Sequence, residues 1–179
     1  FFKYMQNKAC RKADKIIAVS NGYLDRICGG KYNNKAVMIP NGYDVKDIRE
    51  NSACATDDNL ILTYVGALYG GKRDLSPVFR SISELVDEGL IDRNKIIFNY
   101  AGTGFSVVEN QAQAYGVEDI LVDNGRLGRE ACLNLQNSSH ALVLSTWNDK
   151  REYGVFPGKF LEYMLMRKPI ISVVDGNLG

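Results

Sequence analysis

The sequence predicts an α/β fold, a Rossmann-like parallel sheet with flanking helices. Short apolar runs rich in β-formers alternate with amphipathic stretches, the pattern of β-α-β units. The 179 residues are 45% hydrophobic and 24% charged, which is enough to bury a core in an ordinary globular protein. The formal net charge is only +1, from 22 basic and 21 acidic residues, so no broad field favours a nucleic acid or an anionic membrane. Any anion site must be local.

The first forty residues are predicted to form the last structural units of a domain. Strands are predicted over residues 16–20 and 36–39, with a helix between them that Ser20 or Asn21 caps and Gly29 ends. Residues 40–42, Pro-Asn-Gly, predict a turn. We expect residues 1–43 to end one domain, residues 44–58 to form a linker, and residues 59–179 to form a second domain.

The second domain is predicted to contain five strands with helices between them. The predicted strands are residues 60–65, 95–100, 120–122, 141–145 and 169–174, and the predicted helices are residues 76–88, 106–115, 128–136 and 157–166. In such a doubly wound sheet, ligands bind beyond the carboxyl ends of the strands. Because the chain stops directly after a strand, we expect it to be a piece of a longer protein, with the second domain incomplete.

The cysteines and the apolar runs indicate the cellular location of the protein. Cys10, Cys28, Cys54 and Cys132 stand singly, without the spacing of a zinc site or a disulfide framework. The longest apolar runs have the length of strands, and residues 1–6 lack a secretory pattern. We expect a cytoplasmic protein, which at full length could attach peripherally to the membrane.

The last predicted helix has an N-terminus suited to a phosphate. Pro157 at the first helical position, followed by Gly158, leaves free backbone amides, and Lys159 adds a cation beside them. Glu162 lies three residues further on the same face, where a carboxylate can accept ribose hydroxyls. Phe160, Leu161, Met164 and Leu165 are the expected buried stripe. The alternative is a solvated Lys/Glu pair on an ordinary helix.

Three loops beyond predicted strands add further candidates. Lys72 and Arg73 lie in a glycine-rich loop, although this could be a basic turn in which Asp74 caps the next helix. Trp147 follows the strand over residues 141–145 and either contacts a sugar or packs in the core. The lone Gly-x-Gly beginning at Gly102 predicts a tight turn. His140 opens an apolar strand, and we expect it to be a core or strand-end residue and not a catalytic base.

Several segments together resemble a known family. Residues 154–164, Gly-Val-Phe-Pro-Gly-Lys-Phe-Leu-Glu-Tyr-Met, with residues 168–171, are similar to the donor-site helix and following strand of family 4 glycosyltransferases of the GT-B fold. Residues 13–20 and 37–44 resemble that family's passage from acceptor domain to linker. Residues 64–68, 101–104 and 124–127 resemble successive turns of its donor domain. The resemblance covers nearly the whole chain, in order.

The resemblance implies retaining transfer of a sugar from a nucleotide-diphosphate donor, without an obligatory metal or other cofactor. The acceptor, a glycan or a lipid-linked molecule, would bind through an N-terminal domain mostly outside this chain, so the chain alone should bind donor without turnover. The oligomeric state stays open. The implied roles are diphosphate binding by Lys72, Arg73, Gly158 and Lys159, ribose binding by Glu162, base contact near Gly102, Gly125, Arg126 and Leu127, and donor-sugar contact by Trp147 and Glu152.

The sequence departs from the family pattern at two positions. Ala67 stands where the family commonly has an arginine, which leaves open whether Lys72 or Arg73 takes that role. Glu152 lies two residues further upstream of Glu162 than the family's paired glutamates. The alternatives are a sugar-nucleotide epimerase of the same architecture and a noncatalytic α/β interaction module.

Overall fold

The structure is a computed structural model that describes residues 2–47, 58–147 and 157–173. Its N-terminal part contains, in order, α1 (Phe2–Lys12), β1 (Ile16–Ala18), α2 (Asn21–Cys28) and β2 (Ala36–Met38). β1 and β2 pair in parallel, and a small core of Cys10, Ile16, Leu24 and Cys28 lies between them and the helices. As predicted, the Ser20 hydroxyl caps α2 by accepting from the Tyr23 amide, and Gly29 ends it with φ +52°.

The N-terminal part departs from the prediction in two respects. Helix α1 was not predicted, because its large apolar residues Phe2, Tyr4 and Met5 are exposed and only Cys10 is buried. Residues 39–44 run as irregular chain instead of forming the predicted turn at residues 40–42. A short 3₁₀ helix, Val45–Asp47, follows. The rest of the predicted linker, up to residue 57, lies outside the described residues.

The larger part is a sheet of five parallel strands in the order β5-β4-β3-β6-β7, as the α/β prediction requires. Its elements are β3 (Leu60–Val65), α3 (Ser76–Asp87), β4 (Ile96–Ala101), α4 (Phe105–Gln113), β5 (Leu121–Asp123), α5 (Arg129–Asn137), β6 (Ala141–Ser145), α6 (Gly158–Leu165) and β7 (Ile170–Val173). Predicted and observed bounds differ by at most a few residues.

The main core lies between the central strands and helices α3 and α4. Phe79 of α3 packs against Phe98 of β4 with ring centroids 5.0 Å apart, and both side chains are fully buried. Val78 and Ile82 of the same helix are also buried, whereas Leu85 is 38% exposed. The buried face of α3 is therefore formed by Val78, Phe79 and Ile82.

A second core joins β6 to α5 and α6. Leu142 and Leu144 pack with Leu133, Tyr163 and Met166, while Phe160 and Leu165 lie at the cluster's edge. Tyr163 is buried, whereas Met164, which was predicted to be buried, is 54% exposed. Pro157 is the N-cap residue of α6, with ψ 131°, so Gly158 and not Pro157 is the first helical residue. The predicted stripe was therefore only partly right.

The sheet contains a topological switch point between β3 and β6. From β3 the chain passes through α3 to β4 on one side, and after α5 it returns to β6 on the other side of β3. The loop that leaves β3 and the residues directly after β6, Thr146 and Trp147, therefore meet at the carboxyl edge, where such sheets bind ligands. In the described ranges, every helix is too short or too polar to cross a bilayer.

Candidate functional site

The loops that leave β3, β4 and β5 are joined by backbone hydrogen bonds. The Gly66 amide donates to Ala101 O at 2.8 Å, and the Gly102 amide donates to Gly125 O at 2.9 Å. A Cβ on Gly102 would lie 2.2 Å from the Gly66 carbonyl oxygen, so only glycine allows these two backbones to approach. The predicted base-proximal residues Gly102 and Gly125 are thus neighbours at the carboxyl edge.

Arg73 is fixed inside the loop that follows β3. Its Nη1 lies 3.4 Å from Ala67 O and 3.5 Å, the limit for a hydrogen bond, from the Tyr64 hydroxyl. Its guanidinium carbon lies 5.0 Å from the ring centroid of Tyr69, and its Nε is buried without a hydrogen-bond partner among the described residues. The guanidinium of Arg73 therefore lies beside Ala67, the position at which the family resembled by the sequence commonly has an arginine.

Lys72, in the loop after β3, is in contact with Trp147, which follows β6. The ammonium of Lys72 lies 4.7 Å from the Trp147 ring centroid, and Tyr69 packs against the same ring at 5.6 Å. An isolated antiparallel bridge joins Arg73 to Trp147, and the Ser145 hydroxyl donates to Asp74 O at 3.2 Å. These contacts hold the predicted cations beside the start of the segment leading to α6.

The predicted pair on α6 is in direct contact. Lys159 Nζ donates to Glu162 Oε1 at 2.9 Å, with side-chain exposures of 31% and 19%. The same oxygen accepts from Gln136 Nε2 at 2.6 Å. Both side chains are therefore partly buried.

A cleft of about 580 Å³ opens beside this pair, a size typical of small-molecule sites. Its lining comprises Gly42, Tyr43, Asp44, Val45, Arg129, Gly158, Leu161, Glu162 and Leu165. The cleft therefore lies between the chain after β2 and helix α6, with Arg129 entering from α5. Three charged side chains, Asp44, Arg129 and Glu162, line its walls.

Three buried tyrosines, Tyr64, Tyr100 and Tyr163, connect the elements around the candidate site. The Tyr163 hydroxyl accepts from the Val65 amide at 3.2 Å, which ties α6 to the end of β3. Tyr64 and Tyr100 stack with centroids 5.9 Å apart, and the Tyr100 hydroxyl donates to Thr103 O at 2.7 Å. Burial raises the pKa of Tyr100 to about 12 and also raises the pKa of Tyr163. These phenols are neutral and structural at physiological pH.

No protein-family model and no curated protein sequence matches the chain. Solved structures do match. Sucrose-phosphate synthase from Thermosynechococcus elongatus gives a TM-score of 0.70 at 15% identity, over 95% of this chain and 43% of that one. TarM gives 0.66 at 15% identity, over 96% and 31%. The lipopolysaccharide outer core galactosyltransferase WaaB gives 0.64 at 18% identity, over 89% and 43%. The fold is that of the GT-B glycosyltransferases.

The chain spans less than half the length of each of these GT-B proteins. Within its part of the GT-B fold, the predicted residues fall into three groups at one edge of the sheet. Lys72, Arg73 and Trp147 form one group, Gly158, Lys159 and Glu162 the second, and Gly102 with the turn over residues 125–127 the third. In the third group Arg126 is exposed and Leu127 half-buried. Glu152 lies outside the described residues.

Sequence reasoning missed two residues at the α6 pair. Gln136 is fully buried, and Arg129 lines the cleft. Gln136 lies three residues after the core residue Leu133, and that spacing is the only signal in the sequence that it faces inward. His140, by contrast, is the predicted strand-end residue, since its Nδ1 accepts from the Ile61 amide at 3.0 Å.

Proposed function

We propose that this chain is the donor-binding part of a GT-B glycosyltransferase and that it binds a nucleoside-diphosphate sugar. The observation that carries the proposal is the contact between Lys159 and Glu162, which lies partly buried at the start of α6 and beside the 580 Å³ cleft. A cation and a carboxylate at a helix N-terminus, on the crevice where parallel α/β sheets bind ligands, suit a phosphate next to a ribose.

The diphosphate is proposed to lie between α6 and the loop after β3. The amides of Gly158 and Lys159 begin α6, where the helix dipole favours an anion, and the Lys159 ammonium lies beside them. Lys72 is exposed and can turn from Trp147 toward a phosphate, whereas Arg73 is anchored and offers a fixed positive charge. The same cations would stabilise the leaving diphosphate as its charge grows during transfer, without a metal in this role.

The ribose is proposed to bind to Glu162. Lys159 and Gln136 both donate to Oε1 of Glu162, so Oε2 is the oxygen best placed to accept ribose hydroxyls. The base would then extend toward the turns at Gly102 and at residues 125–127, and the sugar toward Trp147 and the segment containing Glu152. This is the order that a nucleotide sugar requires along one edge.

Two structural neighbours support the nucleotide part of the proposal. A Staphylococcus aureus TarM variant was solved with UDP, fondaparinux and α-GlcNAc-glycerol, and the pneumococcal O-GlcNAc transferase GtfA was solved with UDP and GlcNAc. For the present protein we propose retaining transfer to a glycan or lipid-linked acceptor in the cytoplasm. Residues 1–43 would belong to the acceptor domain, residues 44–58 to a linker and residues 59–179 to the donor domain.

Calorimetric titration of the chain with UDP, GDP and ADP tests the proposal. We expect saturable binding of one of them, weakened roughly tenfold or more by Lys159→Ala and by Glu162→Ala, since each removes a charge-assisted hydrogen bond worth about 1.5–3 kcal/mol. Arg80→Ala and Glu84→Ala are matched controls, because that pair is also on one helix but is more than 60% exposed on α3. Absence of binding to all three nucleotides would contradict the proposal.

A further inference from the structure

Gln136 is a buried polar residue whose side chain makes a single hydrogen bond in the described structure, and that bond joins it to the candidate site. The residue, on α5, is 0% exposed, and Nε2 donates to Glu162 Oε1 at 2.6 Å. Its Oε1 is also buried and has no partner among the described residues. Leaving such an oxygen unpaired costs free energy, so an apolar side chain of the same size would suit this position better for stability.

The orientation of the Gln136 amide is determined by its neighbour. Turning the amide over would place its carbonyl oxygen against the Glu162 carboxylate, and two acceptors repel each other at that distance. The amide nitrogen therefore faces the carboxylate, and the orphaned oxygen faces the interior. The arrangement leaves a polar group unpaired in the core and in return fixes one carboxylate oxygen.

Lys159 alone cannot provide this constraint when a donor is bound. In the structure Lys159 and Gln136 share Glu162 Oε1, at 2.9 Å and 2.6 Å. A diphosphate at the start of α6 would draw the flexible Lys159 ammonium toward its own oxygens. Gln136 is held in the core and cannot follow, so it would remain as the donor that fixes the carboxylate.

We propose that Gln136 is a positioning residue that holds Glu162 Oε1 so that Oε2 faces the ribose hydroxyls of the donor. The inference rests on the proposed function and deepens it, because it assigns the ribose selectivity of the site to a residue that does not touch the ligand. Removing the amide should weaken discrimination between ribose and deoxyribose while leaving the fold at least as stable.

The test is a comparison of two ligands in four proteins. The ligands are the tightest binder among UDP, GDP and ADP and its 2′,3′-dideoxy analogue, and the proteins are the wild type, Gln136→Met, Glu162→Ala and the control Asn134→Met. Methionine keeps the length of glutamine without its amide, and Asn134 is exposed on the same helix. If methionine does not pack, Gln136→Leu serves the same purpose. Urea unfolding of each protein gives its stability.

We expect the wild type and Asn134→Met to bind the ribonucleotide about tenfold more tightly than the dideoxy analogue. This ratio should fall below about threefold in Gln136→Met and close to one in Glu162→Ala, with Gln136→Met at least as stable as the wild type. A wild-type ratio in Gln136→Met, together with a lost ratio in Glu162→Ala, would overturn the positioning role and leave the donor site standing. Absence of nucleotide binding to the wild type would overturn both.

Discussion

The hydroxyl of Tyr163 accepts a hydrogen bond from the Val65 amide at 3.2 Å, and this contact ties helix α6 to the central strand β3. β3 and β6 pair only through Leu62 with Ala141 and Thr63 with Leu142, so the Val65 amide lies beyond that ladder. A side chain from α6 satisfies it instead. The position of α6 therefore depends on a buried phenol.

Tyr163→Phe should destabilise the protein by about 1–3 kcal/mol, because it leaves the Val65 amide buried without a partner. Urea unfolding measures the loss, and Tyr4→Phe is the control, since Tyr4 is 68% exposed on α1. Equal stability of the two variants would show that the contact contributes nothing. We also expect Tyr163→Phe to weaken nucleotide binding, because α6 loses its attachment to β3.

Gly102→Ala should destabilise the protein by at least about 1–3 kcal/mol, because its Cβ would lie 2.2 Å from the backbone oxygen of Gly66, and backbone cannot rotate away. Gly128→Ala is the matched control, because Gly128 also follows a strand of the same sheet, but a Cβ there would meet nothing within 4 Å and its φ is −70°. Thermal unfolding compares the two. A Gly102→Ala protein as stable as Gly128→Ala would contradict the close approach of the two loops.

Stability should decrease between about pH 10 and pH 12. Burial raises the pKa of Tyr100 from 10.0 to about 12, so in this range the unfolded chain has released a proton that the folded chain retains. Rising pH therefore favours unfolding, whereas below pH 10 this group makes no pH-dependent contribution. Urea midpoints at about pH 8 and about pH 11.5 should differ less in Tyr100→Phe than in the wild type. An unchanged difference would mean that other groups cause the alkaline loss.

Removal of the Lys72 charge and removal of the Arg73 charge should have different effects on stability. Lys72 is exposed, so Lys72→Met should weaken diphosphate binding without changing stability. Arg73 contacts Ala67 O and Tyr69 within the loop, so Arg73→Met should lower both affinity and stability. Calorimetry and urea unfolding on the same preparations separate the two effects. Loss of stability in Lys72→Met, or unchanged stability in Arg73→Met, would contradict these assignments.

The fold could be predicted because the strands carry their signal locally. β3 and β6 have the predicted bounds, since each is a short run of β-branched and apolar residues ended by glycine or polar residues. α1 could not be predicted because its exposed Phe2 and Tyr4 give no periodicity that marks a buried face.

Site residues could be predicted only where their place in the sequence, directly after a strand or at the start of a helix, is enough to locate them. Lys159 and Glu162 are three residues apart on one helix, so their contact follows from helical geometry. The pairing of Gln136 with Glu162 joins residues 26 apart on two helices, and the bridge between Arg73 and Trp147 joins two loops. Such contacts depend on how elements pack, which the local pattern does not encode. The ligand roles of these residues stay predictions.

The most direct measurement of the central proposal is an amide NMR titration of the chain with UDP, GDP and ADP. We predict that one nucleotide shifts the amide resonances of Gly158, Lys159 and Phe160 at the start of α6, with a common saturation curve, and leaves those around Arg80 on α3 unchanged. Shifts that are confined to other parts of the chain, or that never saturate, would contradict the donor site proposed at α6.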